Sequence, residues 1–304
     1  MTRRVLVTGA AGYIGGAVAA RLARGGHDVL GAVRDSTKAA GLAGRGIHAV
    51  QLDVREDRRL AAVVDEVDSV VHCAFAATEP SGIRRAIALE RQVTDTLTAG
   101  RATVVYTSGI GVLADPGASD PVEEDHVPAE DAPMAWRYAL ERQVVGVGGR
   151  VVRPALVHGR GGNRILHDLI SQSRTRGAAG FVPPGTNRLP TVHVDDLADA
   201  YARVVDDGAP RSTYTVVGSS TTPRAVAEAI AELLGVPVRP LEETVSELPA
   251  LGWIAGDLAV SATRANSELG WRPTGPSLPE DLAHGSYRGR SEAGPESRTR
   301  PSAG

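Results

Sequence analysis

Val5-Leu6-Val7-Thr8-Gly9-Ala10-Ala11-Gly12-Tyr13-Ile14-Gly15-Gly16 is the stretch on which the fold turns. A short apolar strand runs into three glycines at three-residue spacing, and a small-residue helix follows to about Arg24. A G-x-x-G-x-x-G pattern that ends a strand and opens a helix is a dinucleotide fingerprint. Gly9 permits the tight turn, Gly12 lets the backbone approach a pyrophosphate, and Gly15 lets the helix pack close on the sheet. The anion then rests on unpaired amides at the helix N-terminus, aided by the macrodipole.

Outward from that turn, strand-like runs alternate with helical patterns. Strands are expected at Arg3–Thr8, Asp28–Val33, His48–Gln51, Ser69–Cys73, Thr103–Thr107 and Arg150–Arg153, and helices at Gly12–Arg24, Glu56–Val64, Ile83–Leu97 and Met134–Val145. This order predicts an α/β fold with a doubly wound parallel (Rossmann) sheet, and ligands outside the carboxyl ends of its strands. After Arg153 the rhythm breaks. A helix is expected at Arg164–Thr175, a strand at Thr191–Val194, a helix at Asp195–Val205 with Asp195 as its cap, and a strand at Thr213–Val217. Thr222-Pro223 reads as N-cap and first helical residue, and Gly235 as the stop. The expected division is a nucleotide-binding domain over 1–157 and 190–218, a smaller C-terminal substrate lobe over 158–189 and 219–285, and a disordered tail over 286–304, where almost nothing is apolar.

Composition narrows the partners. Of 304 residues 42% are hydrophobic but only 4% aromatic, so Val, Ala and Leu must fill the core. A net charge of -3 without a basic patch argues against nucleic acid or an anionic membrane surface. The single cysteine, Cys73, excludes an intrachain disulfide. No segment is long and apolar enough to span a bilayer, and Met1-Thr2-Arg3-Arg4 leads straight into a strand. A cytoplasmic protein with a small-molecule ligand is expected.

The end of the second strand selects the cofactor. An acid there binds a ribose 2'-hydroxyl, whereas arginine suits a 2'-phosphate. The position is Val33, followed by Arg34, with Lys38 further along. NADP(H) is favoured over NAD(H), although Asp35 could still turn inward to a hydroxyl. Asp53, past the third strand, either meets the adenine amino group or caps the next helix.

With these residues in hand, the chain resembles the extended short-chain dehydrogenase/reductases, the superfamily of NAD(P)-dependent epimerases and dehydratases. The motifs are Thr8-Gly9-Ala10-Ala11-Gly12-Tyr13-Ile14-Gly15, Val71-His72-Cys73-Ala74, Val105-Tyr106-Thr107-Ser108, Arg153-Pro154-Ala155-Leu156-Val157-His158-Gly159, Val192-His193-Val194-Asp195-Asp196-Leu197-Ala198 and Leu269-Gly270-Trp271-Arg272-Pro273. The resemblance implies a cofactor set of Gly9, Ala11, Gly12, Tyr13, Ile14 and Gly15, then Arg34, Asp53, Val54, Cys73, Ala74 and Phe75. It also implies a homodimer.

In that family a tyrosine handles the proton, a lysine four residues later binds ribose and lowers the tyrosine pKa, and a strand-end hydroxyl holds the substrate oxygen. This sequence departs at each position. Gly109 falls where the hydroxyl belongs, with Ser108 one residue early. Tyr138 and Arg142 keep the tyrosine–lysine spacing in one register. In a second register Glu141 matches the glutamate that follows the lysine, so Arg137 takes the lysine place and Pro133 the tyrosine place. Arginine cannot relay a proton as lysine does. The acid is then Ser108, Tyr138, His158 or water, and the candidate catalytic set is Ser108, Tyr138, Arg142 and Arg137. Substrate is expected under Phe75–Ile83, Ile110–Pro116, Arg160–Arg164 and Phe181–Arg188, where Arg160, Arg164 and Arg188 could hold an anion or form a solvated rim. The functional expectation is an NADP(H)-dependent oxidoreductase. The alternatives are a non-redox epimerase, dehydratase or cyclase, and a non-catalytic NADP(H)-sensing protein.

Overall fold

The computed structural model describes residues 1–75, 82–113, 120–132, 134–209, 212–241 and 256–288. In chain order the strands are β1 (Arg4–Thr8), β2 (Asp28–Val33), β3 (His48–Gln51), β4 (Ser69–His72), β5 (Thr103–Thr107), β6 (Arg150–Pro154), β7 (Leu156–His158), β8 (Ala179–Phe181), β9 (Leu189–His193), β10 (Thr213–Val216), β11 (Ser219–Thr221) and β12 (Val238–Pro240). The helices are α1 (Tyr13–Arg24), α2 (Ala40–Ala43), α3 (Asp57–Val64), α4 (Ile83–Ala99), α5 (Ala135–Gly146), α6 (Arg164–Arg176), α7 (Val194–Asp207), α8 (Pro223–Leu234), α9 (Thr263–Glu268) and α10 (Leu278–His284).

Val5, Leu6, Val7, Val70 and Val71 are fully buried, as central strands covered on both faces require. They lie in a seven-stranded sheet ordered β10-β6-β5-β4-β1-β2-β3, with every ladder parallel. The order reverses between β1 and β4, which opens a crevice at their carboxyl ends. One core, with Val18, Leu22, Val204 and Tyr201, fills one face, and another, with Leu60, Val93, Leu97 and Leu140, fills the other.

In the later half the parallel order of the large sheet is interrupted. The strand expected at Thr191–Val194 is β9, which pairs with β7 and β11 in a separate three-stranded sheet. Only β10 returns to the large sheet, beside β6. The lobe core gathers Leu166, Ile170, Val226, Ile230, Leu278 and Leu282. Thr222 caps α8 by accepting from the Ala225 amide at 3.1 Å, and Gly235 closes it at φ +67°. The cap of α7 is His193, whose Nδ1 accepts from the Asp195 amide at 3.2 Å; Asp195 lies inside the first turn and is not the cap. Within the expected tail, Tyr287 is 1% exposed and packs with Leu278 and Leu282, while Ser286 and Arg288 on either side of it are exposed. The remainder of the expected tail, 289–304, lies outside the described residues.

Candidate functional site

The turn after β1 is shaped by what its glycines lack. Gly9 adopts φ +69°, and a Cβ there would lie 3.0 Å from the Ala74 amide nitrogen. At Gly15 a Cβ would come within 2.3 Å of the Gly9 carbonyl oxygen, so only hydrogen lets α1 sit this close to β1. Gly12, the N-cap, has no side chain to occupy the first amides of α1, and no acid stands in its first turn. Ala11 and Gly12 are exposed. An open, positively polarised helix end in a cradle this tight fits a pyrophosphate.

The cradle opens into a cleft of about 750 Å³. Among the expected cofactor residues, Gly9, Ala11, Gly12, Arg34, Asp53, Val54, Cys73, Ala74 and Phe75 line it. Tyr13, Ile14 and Gly15 do not; Tyr13 and Ile14 pack on the first core and Gly15 lies against the Gly9 carbonyl. At the β2 end Val33 is buried, Arg34 and Lys38 reach the wall, and Asp35 accepts from the Thr37 amide at 2.9 Å. That bond, the largest influence on it, holds the Asp35 carboxyl below its ordinary pKa. Asp53 does not cap α3, whose N-cap is Glu56. It receives the Arg55 guanidinium at 2.9 Å on each oxygen, which keeps it ionised.

Behind the cleft lies a buried polar group whose members are far apart in the sequence. Thr8 Oγ1 accepts from the Cys73 and Ala74 amides at 3.2 Å and meets His72 Nδ1 at 2.8 Å. His72 Nε2 stands 3.5 Å from Glu90 Oε1, which also accepts from the Tyr106 hydroxyl at 2.9 Å. Glu90 is 4% exposed, yet both His72 and Glu90 border the cleft. Burial pushes the Glu90 carboxyl up, but His72, then Arg137 and Tyr106, bring it below its ordinary value. A signal was present: Glu90 occupies the stripe of Ala86, Val93, Thr94 and Leu97, where an acid has no packing role.

Behind the Phe75 wall of the cleft, the arrangement depends on the rotation of α5, which packs there through Arg137 but does not itself line the cleft. Glu141 is buried against Arg153, with Arg153 Nε 3.1 Å from Glu141 Oε1 and Arg153 Nη1 donating to the Glu124 carbonyl at 2.9 Å. One turn earlier Arg137 is also buried, its guanidinium 4.5 Å from the centre of the Phe75 ring and 5.0 Å from that of Trp136. Its Nε has no hydrogen-bond partner among the described residues. Arg142 is exposed; neither arginine lines the cleft, and Arg137 is the one that packs on its Phe75 wall. Tyr138 is half-buried beside Arg137. Ser108 is buried, its amide donating to Val152 at 2.8 Å and its Oγ without a partner among the described residues. Pro133 lies outside the described residues. Cys73, held by the Thr107 hydroxyl at 3.3 Å, has its thiol pushed up to about 11 by burial and stays protonated.

His158 does not face the cleft walls. It is 1% exposed, with Nδ1 3.5 Å from Asp281 Oδ2 and its ring edge-on to His193. The arginines expected to hold a substrate anion each have an acid: Arg160 with Asp195, Arg164 with Asp168, and Arg188 with Asp257. Parts of the expected substrate walls, 76–81 and 114–116, lie outside the described residues. No described helix is long and apolar enough to cross a membrane.

Comparison with known proteins agrees with this fold. The solved dTDP-glucose 4,6-dehydratase of Bacillus anthracis, in complex with NAD, superposes with a TM-score of 0.77 over 95% of this chain and 97% of that one, at 16% identity. An uncharacterized protein of Saccharomyces cerevisiae is 30% identical over 293 residues, 92% of this chain and 97% of the relative. An NAD(P)H azoreductase of Xenophilus azovorans is 26% identical over 255 residues, 80% and 78% of the two chains. The family model for the NAD dependent epimerase/dehydratase family matches residues 5–217, from β1 through the last strand of the large sheet. The chain belongs to that family of NAD(P)-dependent enzymes.

Proposed function

We propose that this protein is an NADP(H)-using oxidoreductase acting on a small-molecule carbonyl compound. The observation that carries the cofactor choice is the β2 end: Val33 buried, Arg34 and Lys38 on the cleft wall, and Asp35 already engaged by the Thr37 amide. Guanidinium grips a phosphate bidentately, and valine offers a ribose hydroxyl nothing. The cradle at Gly9–Gly12 would take the pyrophosphate, and bound NADP(H) would supply the hydride. A relative named as an NAD(P)H azoreductase supports the redox reading.

Behind the Phe75 wall this chain supplies a fixed cation and no tyrosine–lysine pair. Arg137, buried over Phe75, would orient ribose hydroxyls and stabilise negative charge on a substrate oxygen, but arginine does not relay a proton as lysine does. The proton then comes from the Tyr138 hydroxyl on the same helix, from Ser108 or from water. One observation favours a second reading, cofactor binding without turnover: Gly109 leaves the strand-end hydroxyl position empty while Ser108 Oγ is buried.

Titration by NADPH and NADH under one set of conditions tests the cofactor. NADPH should bind about 10-fold or more tightly, from the charge-assisted bonds to the 2'-phosphate, and Arg34→Glu should abolish that preference. Equal affinities, or no binding of either, would sink the proposal. Oxidation of NADPH with a panel of ketones and aldehydes then separates the two readings: binding with no turnover on any of them selects the second. Full activity in Tyr138→Phe removes that residue as the acid.

A further inference from the structure

The loop after β7 is held from two directions, and one of them is the fingerprint itself. Tyr13 donates its hydroxyl to the Gly159 carbonyl at 2.8 Å, across 146 residues. Its ring lies so close to Gly162 that a Cβ there would stand 2.1 Å from a ring carbon. From the other side, the Tyr287 hydroxyl donates to the Gly162 carbonyl at 2.7 Å and accepts from the Gly159 amide at 3.3 Å. Ser286 Oγ accepts from the Gly161 amide at 2.7 Å and donates to Asp281 at 3.1 Å, while the Ser286 amide donates to the other Asp281 oxygen at 2.8 Å. Gly159, Gly161 and Gly162 therefore stand between Tyr13 and the Ser286–Tyr287 pair at the far end of the described chain.

Tyr13 is the first residue of α1, so its own amide is one of the donors left unpaired at that helix end. Whatever fixes its side chain also fixes the direction of those amides. A donor set fixed before the ligand arrives loses less freedom on binding. The Tyr287 ring already fills the lobe core, so its two hydroxyl bonds are not needed for packing alone.

We infer that Ser286 and Tyr287 form a clasp that positions the fingerprint turn through the glycine loop and Tyr13, making them positioning residues for cofactor affinity. The inference rests on the reading of the cleft as an NADP(H) site. Coupling of this kind is reciprocal: the clasp tightens cofactor binding, and cofactor binding tightens the clasp.

The test is a double-mutant cycle on NADPH affinity with Tyr13→Phe and Tyr287→Phe, both of which keep the packed rings. Each single variant should raise Kd about 3- to 10-fold, the net worth of a hydrogen bond, and the double variant should bind no more weakly than the weaker single. Losses that multiply would mean two independent packing effects and would overturn the clasp. Hydrogen exchange on the unmodified protein gives a readout that needs no variant: NADPH should slow exchange at the Gly159, Gly161 and Ser286 amides. Slowing confined to the fingerprint overturns the inference while leaving the cofactor reading intact. Absence of NADPH binding by the unmodified protein overturns both.

Discussion

The cleft and the α5 side chains packed behind its Phe75 wall are built from different materials. The nucleotide cradle is backbone: Gly9, Gly12 and Gly15 act through missing side chains, and the ligand-facing donors are peptide amides. Behind the wall stand side chains held by one another, with Arg137 over Phe75 and Trp136, and Glu141 locked to Arg153 one helical turn along. Backbone donors survive almost any change of side chain that the turn can accommodate. A side-chain site changes with one substitution. The difference explains how a chain can keep its nucleotide cradle while its proton-handling residues diverge.

The largest effect should come from breaking the lock that sets the α5 rotation. Glu141→Ala leaves the Arg153 guanidinium, 1% exposed, without its carboxylate. Removing one partner of a buried ion pair costs about 3–5 kcal/mol. Urea unfolding should show a loss of that size; a loss under about 1 kcal/mol, as for exposed pairs, would mean that the Arg153 contact does not hold the helix.

A smaller effect should distinguish the two arginines of α5. They are five residues apart, so about 140° separates them around the helix at roughly 100° per residue. Arg137→Met should weaken NADPH binding roughly 10-fold or more, the worth of a hydrogen bond from a charged group. Arg142→Met, on the exposed face, should leave it unchanged. The opposite result would assign the cleft to Arg142 and reinstate the Tyr138–Arg142 pair.

These variants also mark where the sequence was readable. The large sheet was legible because β1, β2, β4 and β5 are each apolar runs closed by a turn signal, and β2, β3 and β5 match their expected bounds. The fingerprint was legible because glycine patterns encode backbone geometry directly. β7, β9 and β11 were not legible as a separate sheet, since three- to five-residue strands carry little periodicity and their pairing is set by tertiary contacts. The α5 register stayed open for a related reason. Spacing alone fits Tyr138–Arg142 as well as Arg137–Glu141, and only the burial of Glu141 beside a β6 arginine fixes the helix phase. Tyr287 was lost to composition: a lone aromatic in a Gly/Ser/Arg stretch reads as solvated chain until its partners at Gly159 and Gly162 are seen.

Glu90 joins the two regions, because it borders the nucleotide cleft and lies within the electrostatic reach of Arg137. Two influences act on it in opposite directions. Burial favours the neutral acid, whereas His72, Arg137 and the Tyr106 hydroxyl favour the anion, and the attraction prevails. A folded-state pKa below the unfolded 4.5 means that the unfolded chain binds more protons in the interval between them. The stabilisation is therefore complete above that pH and is lost as pH falls through the lowered folded value. Thermal unfolding of Glu90→Gln, which keeps an acceptor for Tyr106 but cannot titrate, should fall less steeply with pH below 4.5 than that of the unmodified protein. An unmodified protein that falls less steeply than Glu90→Gln toward low pH would show that desolvation wins. Glu90 would then be a neutral acid facing the cleft, and Arg137 would lack the counter-charge that lets a guanidinium stay buried beside Phe75.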